Sequence, residues 1–287
     1  MYPEQWSGPG FPKAGPGEVP EELFPEVGCA QWVGTRKLQN DVIRVHVKDA
    51  GRGQMLTVAD GIGLDEAAGE AATMAADTVW WEFDRAEPAK DPNQLLLYLI
   101  GKAHKKLLGL NEEAQARGEM PTGAALAVVL VRNRRAVFAS IGNVRVFLLR
   151  GGALLQLSRD HLLSLEAEER DILADKAPDL EPDWALRVTA YAGMDGLKQV
   201  DWQSTPITLQ KNDQLVILSS GLYGALPEQE LVQLLTQSPP QEAADAVIAR
   251  VRARTKDSQS NASISILRLS SRRRRGQTTD VMNFPVR

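Results

Sequence analysis

The sequence predicts an α+β fold in which two antiparallel sheets stack face to face and helices cover both outer faces. Three observations carry this expectation. Two long stretches with apolar residues at helical spacing, Glu66 to Phe83 and Asp91 to Arg117, precede a run of short segments of period two. Two more helical stretches, Glu228 to Thr236 and Pro240 to Arg254, follow that run. A last strand, Ala262 to Leu269, then closes the order. Helices grouped in pairs before and after a meander do not alternate with strands as βαβ units would, so they must cover sheets from outside.

Residues 1–26 hold Gly8-Pro9-Gly10, Pro12, Gly15-Pro16-Gly17 and Pro20, and predict a disordered lead with the fold starting near Val27. Strands are expected at Gly28 to Val33 and Val42 to Val47. The second alternates Val42, Arg44 and His46 against Ile43, Val45 and Val47, which puts His46 on a polar, solvated face.

The chain is organised around Leu56-Thr57-Val58-Ala59-Asp60-Gly61-Ile62-Gly63-Leu64. Residues 54–59 read as a buried strand, and Gly61 and Gly63 allow a sharp turn before a helix begins near Asp65. A carboxylate at a strand end beside such a turn can offer a cation its side chain, with a neighbouring carbonyl as a second oxygen. Equally, Asp60 or Asp65 can cap the helix. The helix itself carries Ala68, Ala72, Ala75, Ala76 and Val79 on one stripe, with Trp80 and Trp81 closing it against the core. The next carries Leu95, Leu96, Leu99, Ile100, Ala103, Leu107 and Leu110, and His104 falls among its solvated charges.

Short strands follow at Ala125 to Val131, Ala136 to Ile141, Arg145 to Leu149 and Leu154 to Leu157. Turns at Arg132-Asn133-Arg134, Gly142-Asn143 and Gly151-Gly152 separate them. Further strands are expected at Leu186 to Tyr191, Trp202 to Leu209 and Asp213 to Leu218.

Composition bounds the function. Over 287 residues, 43% are apolar and 24% charged, as in a globular domain, and the net charge of −4 gives no overall pull towards DNA or an anionic membrane. One cysteine, Cys29, precludes an internal disulfide and fits a reducing compartment. No run is long and apolar enough for a membrane span, so the expected location is cytoplasmic.

Short motifs in order add a more specific signal. Arg36 and Asp41, Ala59-Asp60-Gly61-Ile62-Gly63, Gly69-Glu70-Ala71-Ala72, Gly123-Ala124-Ala125, Gly142-Asn143-Val144-Arg145, Asp160-His161, Ser219-Ser220-Gly221-Leu222 and Ser260-Asn261-Ala262-Ser263 follow one another at fitting spacings. This succession resembles the PP2C-type (PPM) serine/threonine phosphatases, closest to their compact bacterial members. The resemblance covers about residues 28–269, with 162–185 where those members carry a flap. It implies an αββα sandwich over 27–269; the run Arg272 to Arg275 and the polar residues after it predict a basic disordered tail at 270–287.

The resemblance also implies a chemistry: two divalent cations, Mn²⁺ or Mg²⁺, activating a water against a phosphoserine or phosphothreonine. Each cation wants about six oxygens, and their mutual repulsion must be offset by anionic ligands. Asp60 matches the bridging ligand, the Gly61 carbonyl a ligand of the first ion, and Asp41 the acid that holds metal-bound water. Arg36 matches the arginine that grips phosphate, a role suited to its forked donors.

Departures fall on the remaining acids. Ser219-Ser220-Gly221 stands where the family has Ser-Asp-Gly, and Ser260-Asn261 where it has Asp-Asn. Asn143 replaces the acid of Gly-Asp-Ser/Thr-Arg, and Asn40 replaces the acid before the first aspartate. Hydroxyls and amides supply no charge to hold a second dication. The expectation is therefore a catalytically impaired pseudophosphatase that binds a phosphoprotein or a serine/threonine kinase, with no cofactor or at most weakly bound Mn²⁺ or Mg²⁺. The alternative is a weakly active enzyme using a residual or rearranged site, for which Asp195 and Asp257 are replacement acids.

A Ser-His-Asp arrangement through Asp160-His161 and Ser219-Ser220 is disfavoured, because neighbouring side chains on an extended segment point apart. Arg272 to Arg275 give the tail a means of contacting an acidic surface, and Thr278 and Thr279 could accept phosphate from a kinase.

Overall fold

The computed structural model describes residues 22–49, 51–87, 90–165, 187–197, 199–255 and 257–271. In chain order the elements are β1 (Phe24–Trp32), β2 (Asp41–Asp49), β3 (Gly53–Gly61), α1 (Glu66–Arg85), α2 (Pro92–Ala116), β4 (Ala124–Arg132), β5 (Arg135–Ile141), β6 (Arg145–Arg150), β7 (Ala153–Gln156), β8 (Asp201–Trp202), β9 (Ile207–Thr208), β10 (Gln214–Leu218), α3 (Glu228–Gln237), α4 (Pro240–Arg254) and β11 (Ala262–Ser270). One sheet runs β1-β11-β10-β6-β7; the other runs β2-β3-β4-β5-β8, with β9 also on β5. All pairings are antiparallel.

The inner faces of the two sheets share one core that includes Ile43, Val58, Val129, Phe138, Val146, Ile217 and Leu267. On the outer face of the second sheet, α1 and α2 bury Ala72, Val79, Leu96 and Leu99 against Met55, Leu126 and Val128. On the first sheet's outer face, α4 and α3 bury Val247, Val251 and Leu235 against Val216, Ile264 and Ile266. Central strands are thus buried on both faces. That is why β4, buried from Ala124 to Val131, reads as a continuous apolar run rather than an alternation.

This double covering corrects two expectations. His46 projects from the polar side of β2, yet it is only 2% exposed, because α1 lies over that side. Its ring meets Phe83 edge-on at 4.9 Å, and Nε2 stands 3.5 Å from Asp84 Oδ1. Trp81, expected against the core, is 52% exposed, since the buried stripe of α1 passes through Val79 and Phe83 instead. His104 is partly covered and its Nδ1 accepts from Gly193 N, and this burial pulls its pKa down.

Other departures concern element ends. β1 starts at Phe24, ahead of Val27, and includes Pro25; as an edge strand with one neighbour, it leaves the missing N–H without consequence. Within 187–191 there is no strand, only an isolated bridge from Val188 to Leu162, with a second from Ala192 to Ala124 just beyond. The segment expected as one strand from Trp202 to Leu209 is two short ones, β8 and β9, interrupted around Pro206. The lead through residue 21, the flap region over 166–186 and the tail from 272, with Arg272 to Arg275, Thr278 and Thr279, lie outside the described residues. Among the described residues, no helix is long and apolar enough to cross a membrane.

Candidate functional site

Antiparallel pairing brings four chain segments together at one end of the sandwich. In the register of β2 with β3, Asp41 sits directly opposite Asp60. From the facing sheet, β10 runs out at Leu218 into a 3₁₀ turn over Ser220–Leu222, beside the start of β11. Gly221 permits that approach: a Cβ there would lie 1.9 Å from the Asn261 carbonyl oxygen. Similarly, a Cβ on Gly61 would lie 2.2 Å from the Ala68 oxygen, so glycine lets the end of β3 rest on the first turn of α1.

The capping question is answered by Asp65, whose Oδ1 accepts from Ala68 N at 3.1 Å. Asp60 is thereby left to the cleft. Its Oδ2 accepts from Ser220 Oγ at 2.7 Å, and Asp41 Oδ2 accepts from Ser219 Oγ at 2.7 Å. Ser219 Oγ in turn accepts from Ser263 N at 2.9 Å, which orients its proton towards Asp41. Each carboxyl is therefore matched with one serine hydroxyl from the opposite sheet. Asp41 Oδ1 receives no N–H or O–H donor, and the side chains of Ser263 and Asp60 are its further polar neighbours.

Burial pushes the Asp41 carboxyl well above the ordinary carboxylate range, and the neighbouring Asp60 charge pushes it further. Burial also raises Asp60, against the opposing effect of the Ser220 hydrogen bonds. Burial thus holds both carboxyls above the ordinary carboxylate range, Asp41 further than Asp60.

A cavity of about 200 Å³ opens over Asp60. Arg36, Asn40, Gly61, Asn143, Ser220 and Ser260 all line it, so the structure brings the sequence-predicted positions together around one space. Asp41 stands behind Asp60, 2% exposed. Arg36 is exposed and enters no ion pair among the described residues. Asp195 and Asp257 are also exposed and do not line the cavity. Among the described residues, no three histidine, cysteine, aspartate or glutamate side chains converge as a metal-binding group.

Asn40 and Asn261 have structural work to do. Asn40 Nδ2 donates to the carbonyls of Gly63 at 3.4 Å and Asp65 at 3.1 Å, tying the strand end to the glycine turn. Asn261 Oδ1 accepts from Asn40 N at 2.7 Å, while its Nδ2 donates to the carbonyls of Val33 and Leu38. One side chain thus pins both ends of the loop that presents Arg36. Neither the Ser219 link to Asp41 nor this anchoring role was read from the sequence, although both residues stand in the quoted motifs.

The Asp160-His161 pair is structural. Arg145 forms a bidentate contact with Asp160, 2.9 Å from Nε and 2.7 Å from Nη2 to Oδ2, and its guanidinium lies 3.7 Å over the Tyr223 ring. The Tyr223 hydroxyl donates to the Asn143 carbonyl, which fixes the turn that carries Asn143. His161 Nδ1 accepts from Gly142 N at 3.1 Å, which ties this nitrogen to the same turn.

The family model for Protein phosphatase 2C matches residues 35–258, and the chain belongs to that family. Protein phosphatase PhpP of Streptococcus pneumoniae is 26% identical over 218 residues, which is 75% of this chain and 86% of PhpP. The S. agalactiae serine/threonine phosphatase structure superposes with a TM-score of 0.73 at 20% identity, covering 85% of this chain and 99% of that one. The catalytic domain of the phosphatase PstP, solved in complex with 2 manganese ions, gives a TM-score of 0.67 at 18% identity, over 87% and 100% of the two chains. The sandwich expected from the sequence is the fold these structures share.

Proposed function

We propose that this protein is a pseudophosphatase: a PP2C-fold module that binds a phosphorylated polypeptide, or the serine/threonine kinase that carries it, without turning it over. The observation that carries this reading is the pairing of Asp41 with Ser219 and of Asp60 with Ser220. Where a dication pair would need anionic oxygens, the cleft offers neutral hydroxyls at Ser220 and Ser260 and amides at Asn40 and Asn143. Asp60 is the one carboxylate lining the cavity among the described residues, and Asp41, opposite it on β2, is buried behind it. The manganese found with PstP belongs to that protein. The donors here do not fit two such ions, because the carboxyls of Asp60 and Asp41 alone cannot offset a charge of +4.

Phosphate recognition falls instead to Arg36, free on a loop anchored by Asn261 at the cavity mouth. A cytoplasmic location, where phosphoserine and phosphothreonine signalling takes place, agrees with a lone, buried Cys29 thiol. Binding of a fluorescent phosphothreonine peptide, followed by anisotropy, tests the proposal. Affinity is expected to fall about tenfold for Arg36→Ala, the loss of one charge-assisted contact. The peptide should be recovered still phosphorylated. Equal affinity for the phosphorylated and unphosphorylated peptides would refute phosphate recognition here.

A further inference from the structure

A second, larger cavity adjoins the cleft. It is a groove of about 820 Å³ along α1, and Leu38 and Asn40 line both spaces, so the two are neighbours. Glu66, Glu70, Met74, Asp77 and Trp81 follow at helical spacing and form its floor. Leu38 at 40% and Trp81 at 52% exposure leave large apolar surface open to water within it.

Charge along the groove is uneven. Asp77 is neutralised by Arg44, at 2.6 Å, and Glu82 has Lys102 at 3.8 Å. Glu66 and Glu70 enter no ion pair among the described residues. The end of the groove next to the cleft therefore carries two carboxylates outside any ion pair, Met74 and Trp81 supply apolar surface further along α1, and Lys106 and Arg85 add cations to its lining.

We propose that this groove docks the polypeptide flanking the partner's phosphorylated residue, as an extended segment with basic side chains on Glu66 and Glu70 and an apolar side chain on Met74 and Trp81. The proposal rests on the reading of the cleft as a phosphopolypeptide site. Spacing and charge select the occupant. Glu66 and Glu70 are about one helical turn apart, ~6 Å, close to the rise of two residues of extended chain, so basic residues at alternate positions meet both. From Glu66 to Trp81 α1 rises ~22 Å, which about seven extended residues span. The recognised segment is thus a phosphorylated residue, an alternating basic pair close to it, and an apolar anchor beyond.

The test uses labelled synthetic peptides with alternating arginines and a phenylalanine on either the N-terminal or the C-terminal side of a phosphothreonine. Counterparts carry glutamate for arginine, or unmodified threonine. One arginine orientation is expected to bind about tenfold more tightly than its glutamate counterpart, an advantage that shrinks as salt rises. The double variant Glu66→Lys/Glu70→Lys should erase or invert that preference; both positions are exposed, so folding is not at stake. Trp81→Ala should weaken only peptides that contain the phenylalanine. Equal binding of arginine and glutamate peptides, or indifference to the double variant while Arg36→Ala still weakens binding, overturns the groove and leaves the cleft reading intact. Loss of the phosphate preference, with the charge effects retained, overturns the cleft reading and leaves the groove. If deleting residues 272–287 raises arginine-peptide affinity and removes the effect of the double variant, the chain's own basic tail is the occupant and partner docking is refuted.

Discussion

The double variant Ser220→Asp/Ser260→Asp is expected to make the melting temperature depend on manganese, where that of the parent does not. Without metal, a carboxylate at 220 stands where the Ser220 hydroxyl now meets Asp60 at 2.7 Å, next to a second acid in Asp41, so the apo variant should melt below the parent. A dication reverses this, because the crowded anions become ligands. Saturation to about 100 times the dissociation constant adds about 2.7 kcal/mol to the folded state. For a domain of this size that is a rise on the order of 5 °C. Differential scanning fluorimetry with and without millimolar Mn²⁺ checks it. A rise of that size in the parent would mean that the existing donor set already holds the metal.

Asp41→Asn is expected to stabilise the protein at neutral pH. The folded-state pKa of Asp41 lies above its unfolded value, so its carboxyl favours the fold fully only below the unfolded pKa, and that contribution is lost as pH rises through the folded value. An asparagine removes this loss. Its carbonyl can keep the bond from Ser219 without carrying a buried charge. The expected gain is about 1–2 kcal/mol at pH 7, shrinking to nothing near pH 4. Urea unfolding across that range, in the presence of a chelator, measures it. A variant less stable than the parent at pH 7 would show that Asp41 is ionised and usefully paired in the fold.

Periodicity was enough to place the helices and the meander, and the ordered motifs were enough to gather Arg36, Asp60, Gly61, Asn143, Ser220 and Ser260 around one cavity. Covering was what the sequence left out. His46 and Trp81 were misplaced because alternation along a strand or a helix states which residues share a face, not which face a neighbouring helix buries. Residues 187–191 are apolar in part yet form no strand, since only the single bridge from Val188 to Leu162 pairs there. The hydroxyl–carboxyl pairs and the Asn261 anchor join residues 160 to 228 positions apart. Local patterns carry no information on such contacts; they follow from the register of two sheets.

The most direct test of the account is phosphate release from a phosphothreonine peptide by the purified protein in millimolar Mn²⁺, run beside Asp60→Asn. The account predicts no release by either protein above the peptide blank. Release by the parent that disappears in Asp60→Asn would contradict it and establish a working metal site at Asp60.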